Sequence, residues 1–350
     1  MIKVNRKELF ECAHEILLAI GENAEGAKTV AESLVFSDLR GITTHGTYLL
    51  TPIVNRVKAA QLSLPTKTSI ILDEAAIAVI EGGNGLGAIA GKLAVDLSIE
   101  RALKYGISLV LIRNTNNLGA LAYYTEMIAR QGMIAMMGCN AAAAMAPWGG
   151  AEAFLGSNPI AIAAYTGNDM LFSADMATSI VARGKIRKAA REGKSIPKDW
   201  ALDAEGNLTS DPVAALKGVL LPMGGPKGSA LALTVDIVSG ILAGAEHAPN
   251  IKSFHTLDGV TGVGASLISI DISKFMDLNA YASTINTYFS QLKNLRKASF
   301  TSEIYLPGEI EYKKECDCKE NGILLDETAV DTLNEMMVEF GVEQHLGIEK

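Results

Sequence analysis

The sequence predicts an α/β protein. Three observations carry that expectation: a helical opening of about sixty residues, an alternation of strands and helices after it, and a composition rich enough in apolar residues for a large core. In the opening, Leu9, Cys12, Ala13, Ile16, Leu17 and Ile20 fall on one face of a helix over Asn5–Gly21, and Gly21 closes it. A second helix is expected over Ala24–Leu39 and a third over Thr47–Ala60. Strands are expected at Ser69–Asp73 and Ile77–Glu81, a helix at Ala88–Tyr105 ended by Gly106, and a buried strand at Ile107–Ile112. A helix over Ala120–Gln131 and a strand over Met133–Gly138 continue the alternation. Further strands are expected at Ile160–Tyr165, Leu171–Ala174 and Leu267–Asp271. Gly228–Gly244 reads as a buried helix, Leu278–Lys297 as an amphipathic one, and Asp326–Phe340 as the last. Arg183–Ser210 is polar and basic and reads as a solvated helix and loop.

The chain has 350 residues, 49% of them hydrophobic and 20% charged, which supports one large or two ordinary domains and argues against disorder. A net charge of −8 and the lack of basic runs interleaved with aromatics exclude a nucleic-acid surface. The Met1–Glu8 start has no apolar core, so no secretory signal is expected. The apolar stretches Met133–Ala146 and Gly228–Ala245 are broken by Asn140 and Asp236, so no membrane span or membrane partner is expected. Cys12, Cys139, Cys316 and Cys318 form neither a disulfide framework nor a zinc pattern. A cytoplasmic protein without a metal is the simple reading.

Four places carry candidate chemistry. Gly85-Leu-Gly87-Ala-Ile-Ala90 follows a strand and opens a helix, as a dinucleotide fingerprint does. The following strand ends at Ile112-Arg113-Asn114, with no acidic residue to hold a ribose, and a tight helix–sheet turn explains the glycines equally well. His45 lies just past a helix end in a polar loop between Gly41 and Gly46. A histidine there titrates near neutrality in reach of a pocket, or bonds to backbone. His14 sits on a helix, His247 and His255 in an exposed loop and His345 near the end, so His45 is the best candidate for a general acid. Asp175 ends a strand, where functional groups gather in α/β sheets, or caps the next segment. Lys227 stands in a glycine turn before a helix, either an anion site or a plain helix-start lysine.

At these residues the sequence resembles the type-2 malate/L-lactate dehydrogenases, a family that includes ureidoglycolate, sulfolactate and diketogulonate enzymes. The resemblance rests on segments in fixed order through most of the chain. They are Asp38-Leu-Arg-Gly-Ile-Thr-Thr-His-Gly46, Pro147–Glu152, Gly156–Ile160, Asp175–Ala177, Gly184-Lys185, Trp200–Asp203, Leu221–Gly228 and Leu306–Glu309. It implies a large mixed β-sheet that is not a Rossmann fold, and a helical layer formed from both chain ends. The expected division is 1–68 with 275–350 as the helical domain and 69–274 as the cofactor- and substrate-binding domain, with 113–146 as a small subdomain. It also implies a homodimer, and it demotes the Gly82–Gly91 turn to a structural element.

The resemblance implies NAD, or NADP, lying along Asn140-Ala141, Leu171–Ala177 (including Ser173, Ala174, Asp175, Met176 and Ala177), Lys227 and Gly308-Glu309. His45 matches the family histidine that donates a proton to the substrate carbonyl, and Asp175 would orient it or the cofactor. Arg40, Thr44 and Asn117 are the expected substrate contacts. Three positions depart from the family pattern. Thr44 replaces a serine and keeps the hydroxyl. Leu49 stands where many members place an arginine for the substrate carboxylate, and Asn117 stands where a second histidine is common. Losing that arginine removes a bidentate, charge-assisted contact. Arg40, Arg56, Arg113 and Arg183 are the replacements in kind.

The reading is an oxidoreductase that moves a hydride between NAD(P)H and a small 2-oxo/2-hydroxy acid. Within the family the alternatives are a ureidoglycolate dehydrogenase or a cyclic imino-acid reductase. From another class, the alternative is a nucleotide-sensing protein without catalysis, for which Leu49 and Asn117 speak.

Overall fold

The structure, a computed structural model, describes residues 1–342 and 346–347; His345 lies outside them. The chain opens with a short strand β1 (Ile2–Val4) and two helices, α1 (Arg6–Ala19) and α2 (Ala24–Leu39). Asparagines start both helices: the Asn5 side chain accepts from Lys7 N at 2.8 Å and the Asn23 side chain from Gly26 N at 3.0 Å, meeting amides that have no helical partner. The expected third helix divides. Two 3-10 turns, Thr43–His45 and Thr47–Leu49, precede α3 (Leu50–Lys58).

The sheet segment follows as β2 (Ser69–Glu74), β3 (Ile77–Glu81), α4 (Gly87–Tyr105), β4 (Ile107–Thr115), α5 (Ala122–Ala129), β5 (Met133–Cys139), β6 (Ile160–Ala164) and β7 (Phe172–Met176). A smaller unit comes next, with α6 (Arg183–Glu192), β8 (Ala201–Leu202), α7 (Pro212–Lys217) and β9 (Val219–Leu220). Here the solvated reading holds only for one side, because Ile186, Ile196 and Ala201 join Met145 and Leu155 in a buried cluster. Helix α8 (Pro226–Val235) runs into a π-helical stretch, Asp236–Leu242. Strand β10 (Val263–Asp271), α9 (Leu278–Lys293), α10 (Glu309–Asn321), β11 (Ile323–Leu325) and α11 (Glu327–Glu339) complete the order.

Seven strands form one sheet in the order β2-β3-β4-β10-β5-β6-β7. Only β3 and β4 are parallel. The other pairs are antiparallel, so the sheet is mixed and differs from a doubly wound parallel one. Strand β10, late in the chain, lies at the centre, pairing Ile268 with Leu109 on one side and with Met136 on the other. Helices α4 and α5 cover one face, where Ile80, Ile112, Tyr124, Ile128, Met133 and Met137 are almost fully buried. Each such side chain stabilises the fold by about 1.5–3 kcal/mol. A second core joins the chain ends: Leu9, Ile16, Leu34 and Leu50 pack with Ile323, Leu333 and Met337, and β1 pairs with β11.

The expected buried helix at Gly228–Gly244 is corrected. It begins at Pro226, changes to π geometry at Asp236, and leaves Leu231, Leu233, Ile237, Ile241 and Leu242 exposed. Only its inner side meets the sheet, where Ser239 Oγ donates to Gly138 O at 3.2 Å. The glycines of the Gly82–Gly91 turn serve close packing. A Cβ at Gly87 would strike the carbonyls of Asn116 and Asn117, and one at Gly91 the Tyr124 ring.

Arg40 fastens the two parts together. It is 6% exposed, lies 4.1 Å from the Phe36 ring centre, and donates to both carboxylate oxygens of Glu126 on α5 and to Glu315 on α10. Removing one member of a buried charge network leaves the others uncompensated, at a cost of about 3–5 kcal/mol. Arg40→Ala is expected to lose that much in a urea melt, whereas Lys92→Ala, which breaks an exposed pair with Asp96, should lose about 0.5 kcal/mol or less. Equal losses would show that the Arg40 network contributes no more than a surface pair.

Candidate active site

The His45 loop is built on a buried carboxylate. Asp38, at the end of α2, is 2% exposed, and its Oδ2 accepts from both Thr47 N and Thr47 Oγ1 at 2.8 Å. Gly46 lies directly over that carboxylate, and any Cβ there would overlap it. Burial pushes the Asp38 carboxyl up to about 6, although the Thr47 bonds hold it down. Held this way, the loop turns Leu49 into the core and leaves Thr44 exposed and His45 half-buried.

The imidazole of His45 has unspent capacity: its Nδ1 is buried and finds no hydrogen-bond partner among the described residues. Burial first, and then the like charge of His255, push its pKa below the ordinary histidine range. The ring is therefore mostly neutral at pH 7.

The segment 116–122 connects His45 to Asp175. Asn116 locks the start, donating through Nδ2 to Asn84 O and Gly85 O at 3.0 Å each. Asn117 turns back on itself, its Oδ1 accepting from Gly119 N at 2.8 Å. A Cβ at Gly119 would come within 3.9 Å of the His45 carbonyl oxygen. Ala122 N donates to Asp175 Oδ2 at 2.9 Å. Asp175 is exposed at the end of β7, yet desolvation by the surrounding protein outweighs the bonds from the Ala122 and Leu121 amides and pushes its carboxyl up to about 6.

A second group of predicted residues meets around Asn158. Its Oδ1 accepts from Ala141 N at 3.0 Å, and its Nδ2 donates to Ala232 O on α8 at 2.9 Å. Thr178, just past β7, accepts from Met223 N at 2.9 Å, which brings the Pro222–Lys227 turn alongside the strand end. The turn's Lys227 is exposed and has no ion pair among the described residues. Gly308 is pressed against Ser173, where a Cβ would clash, and Ser173 N donates to Pro307 O at 3.1 Å.

Three of the expected contact residues spend their side-chain polar atoms on protein partners. Arg40 is committed to its two glutamates. Asn140 is 1% exposed; its Nδ2 donates to Glu246 O at 2.8 Å and its Oδ1 accepts from Gly264 N at 2.9 Å. Burial works to raise the Glu309 carboxyl, but Lys293, Lys313 and Leu306 N outweigh it and hold it at about 2. Sequence reasoning did not single out Asn158, although it lies in one of the matched segments.

The fold and these segments agree with what known proteins show. The malate/L-lactate dehydrogenase family profile matches residues 4–334. This chain belongs to that family. The L-sulfolactate dehydrogenase of Methanocaldococcus jannaschii is 37% identical over 328 residues, covering 94% of each chain. The malate dehydrogenase of Pyrococcus horikoshii is 36% identical over 350 residues, covering 98% of this chain and 96% of the relative. The solved structure of the Methanocaldococcus jannaschii sulfolactate dehydrogenase superimposes with a TM-score of 0.92 at 36% identity, covering 98% of both chains. Two further relatives carry a cofactor in their names: ureidoglycolate dehydrogenase (NAD(+)) of Escherichia coli K12, 30% identical over 309 residues, and (2R)-3-sulfolactate dehydrogenase (NADP(+)) of Chromohalobacter salexigens, 31% identical over 308. The chain is thus an oxidoreductase of the malate/L-lactate dehydrogenase type. Among the described residues no helix is long and apolar enough to cross a membrane.

The raised Asp38 carboxyl makes a signed prediction. Its stabilising contribution is complete below pH 3.8 and is lost as pH rises through about 6. Asp38→Asn keeps an oxygen for Thr47 and removes the titration. Its stability relative to the unaltered protein should therefore rise between pH 4 and pH 7, by about 3 kcal/mol at most. The check is urea melts of both proteins at the two pH values, and a constant difference would refute the assignment.

Proposed function

We propose that this chain transfers a hydride between NAD(P)H and a small 2-oxo acid, giving the 2-hydroxy acid, with His45 as proton donor and acceptor. The observation that carries the reading is His45 itself, half-buried on a rigid loop, with a ring nitrogen left without a partner. The residues around α8 fit a dinucleotide phosphate. The helix starts at Gly225 with no side-chain cap, Lys227 is unpaired, and no atom lies within 4 Å of where a Gly224 side chain would begin. The strand end 173–177, with Asp175, borders the same region. When bound, the nicotinamide supplies the hydride to the substrate carbonyl carbon, or accepts it in the reverse direction.

The chain's own task is the proton. In reduction, protonated His45 gives its ring proton to the carbonyl oxygen as negative charge develops there. In oxidation, neutral His45 takes the hydroxyl proton. Asp175 acts as a positioning residue, since its carboxylate holds the backbone that runs from Ala122 back to Gly119 beside His45. The four free cysteines, with the Cys12 and Cys139 thiols pushed up to about 12 by burial, support work in a reducing cytoplasm.

On the same reading the protein is a homodimer. Ile237, Ile241 and Leu242 are each more than half exposed on one helical face, and Phe275 and Phe300 are exposed nearby in sequence to the unburied α9. Light scattering behind a sizing column should give twice the chain mass of 37.0 kDa. A single-chain mass at micromolar concentration would reject the dimer.

Following NADH and NADPH absorbance with oxaloacetate, pyruvate, sulfopyruvate and a cyclic imino acid tests the reaction. His45→Gln should lose about 100-fold or more in kcat, the usual share of a proton carrier, while cofactor still quenches protein fluorescence. Because the His45 pKa lies below 6.5, oxidation should gain rate with pH only up to that lowered value and then level off. Reduction should weaken as pH rises through it. Full turnover in His45→Gln would reject the role, and reduction confined to the cyclic imine would reassign the substrate.

A further inference from the structure

The chain has two tryptophans, and the fold treats them differently. Trp200 is half-buried against the cluster of Met145, Leu155 and Ile186. Trp148 is 60% exposed. Among the described residues no other ring and no cation lies over its indole.

The backbone of Trp148 is nonetheless fixed. Met145 and Ala146, just before it, are fully buried, and Ala146 N donates to Leu220 O at 3.1 Å. Gly150 N donates back to Pro147 O at 2.8 Å, closing a tight turn with Trp148 at its second position. Gly149, at the third, has a φ of 88°, the left-handed conformation that a type II turn requires there. Trp148 N donates to Oγ of the buried Ser229 at 3.0 Å, which fastens the turn to the first turn of α8.

The indole therefore stands over the start of α8. A Cβ on Gly225 would lie 3.1 to 3.3 Å from Cζ3, Cε3 and Cη2 of its six-membered ring. The φ of Gly225 is 63°, so the backbone and the ring both call for glycine there. The same glycine turn meets the end of β7, where Met223 N donates to Thr178 O at 2.9 Å. Part of the indole is spent on Gly225, and the rest is held open beside the turn. A ring fixed in advance loses little freedom when a second ring covers it.

We propose that Trp148 is a further cofactor-contacting residue, its open indole face receiving a planar ring of NAD(P)H whose phosphates lie at the start of α8. The identity of the ligand rests on the hydride-transfer reading. The indole carries no titratable group, so Trp148 acts in binding and leaves the proton to His45. Stacking accepts either ring of the dinucleotide, because each has a π face.

The test titrates NADH and NADPH into the unaltered protein, Trp148→Phe, Trp148→Ala and Trp200→Phe. Calorimetry gives Kd, and tryptophan fluorescence reports contact. Trp200→Phe should keep most of the cofactor-induced quenching, and Trp148→Phe should lose the larger share of it. Kd should rise about 10-fold in Trp148→Ala, the loss of one stacked ring, and about 3-fold or less in Trp148→Phe, which keeps a ring. In turnover the loss should fall on the cofactor KM rather than on kcat. ADP-ribose and reduced nicotinamide mononucleotide, titrated separately, show which ring stacks; binding of both without dependence on Trp148 overturns the stacking. An unchanged NADH and NADPH Kd in Trp148→Ala overturns the contact alone. A fall in molecular mass in Trp148→Ala that accounts for the weaker binding also overturns it, since Trp148 is then a subunit contact. No turnover of any 2-oxo acid, with Trp148-dependent NADH binding, overturns the hydride-transfer reading and keeps the contact. No binding of either dinucleotide to the unaltered protein overturns both.

Discussion

The geometry of the site depends on one buried carboxylate. Asp38 closes the end of α2 inside the core, and the two bonds from Thr47 are what make its burial tolerable. Because Gly46 has no side chain, the loop passes directly over the carboxylate and doubles back as two short turns. That path leaves His45 half-buried and sends Leu49 inward. Two residues after Asp38, Arg40 reaches the other way and ties α2 to α5 and α10. One helix end therefore carries two buried charges of opposite sign, one fixing the loop and the other fixing the frame against which the loop is placed.

The parts of the fold that were legible in the sequence are those with local causes. Apolar periodicity gave the first two helices and nearly every strand of the sheet, and Gly106 marked a helix end that the left-handed backbone there requires. The central place of β10 has no local signature. Val263–Asp271 pairs with strands more than a hundred residues earlier, and nothing in its own composition names them. Helix α10 escaped notice because Glu309–Asn321 is charged almost throughout and buries only Glu309 and Cys318. At the Gly82–Gly91 turn, a spacing that also suits phosphate binding is filled by backbone and by Tyr124, in line with the packing reading weighed beside it.

The same distinction separates the site residues. His45 and Asp175 stand out as candidates in the sequence because a polar loop between glycines and a strand end are local features. Arg40, Asn140 and Glu309 have binding chemistry by residue type, but protein partners consume their side chains: distant ones at Arg40 and Asn140, near ones at Glu309. Polar residue type names the candidates, and burial decides which of them still have bonds to give.

Leu49 and Asn117 are more informative together than apart. Separately each is a single departure from the family pattern, and each could be read as loss of function. In the fold they line one small cavity, so the two changes close one place at once. The departures therefore describe one change in packing rather than two separate losses.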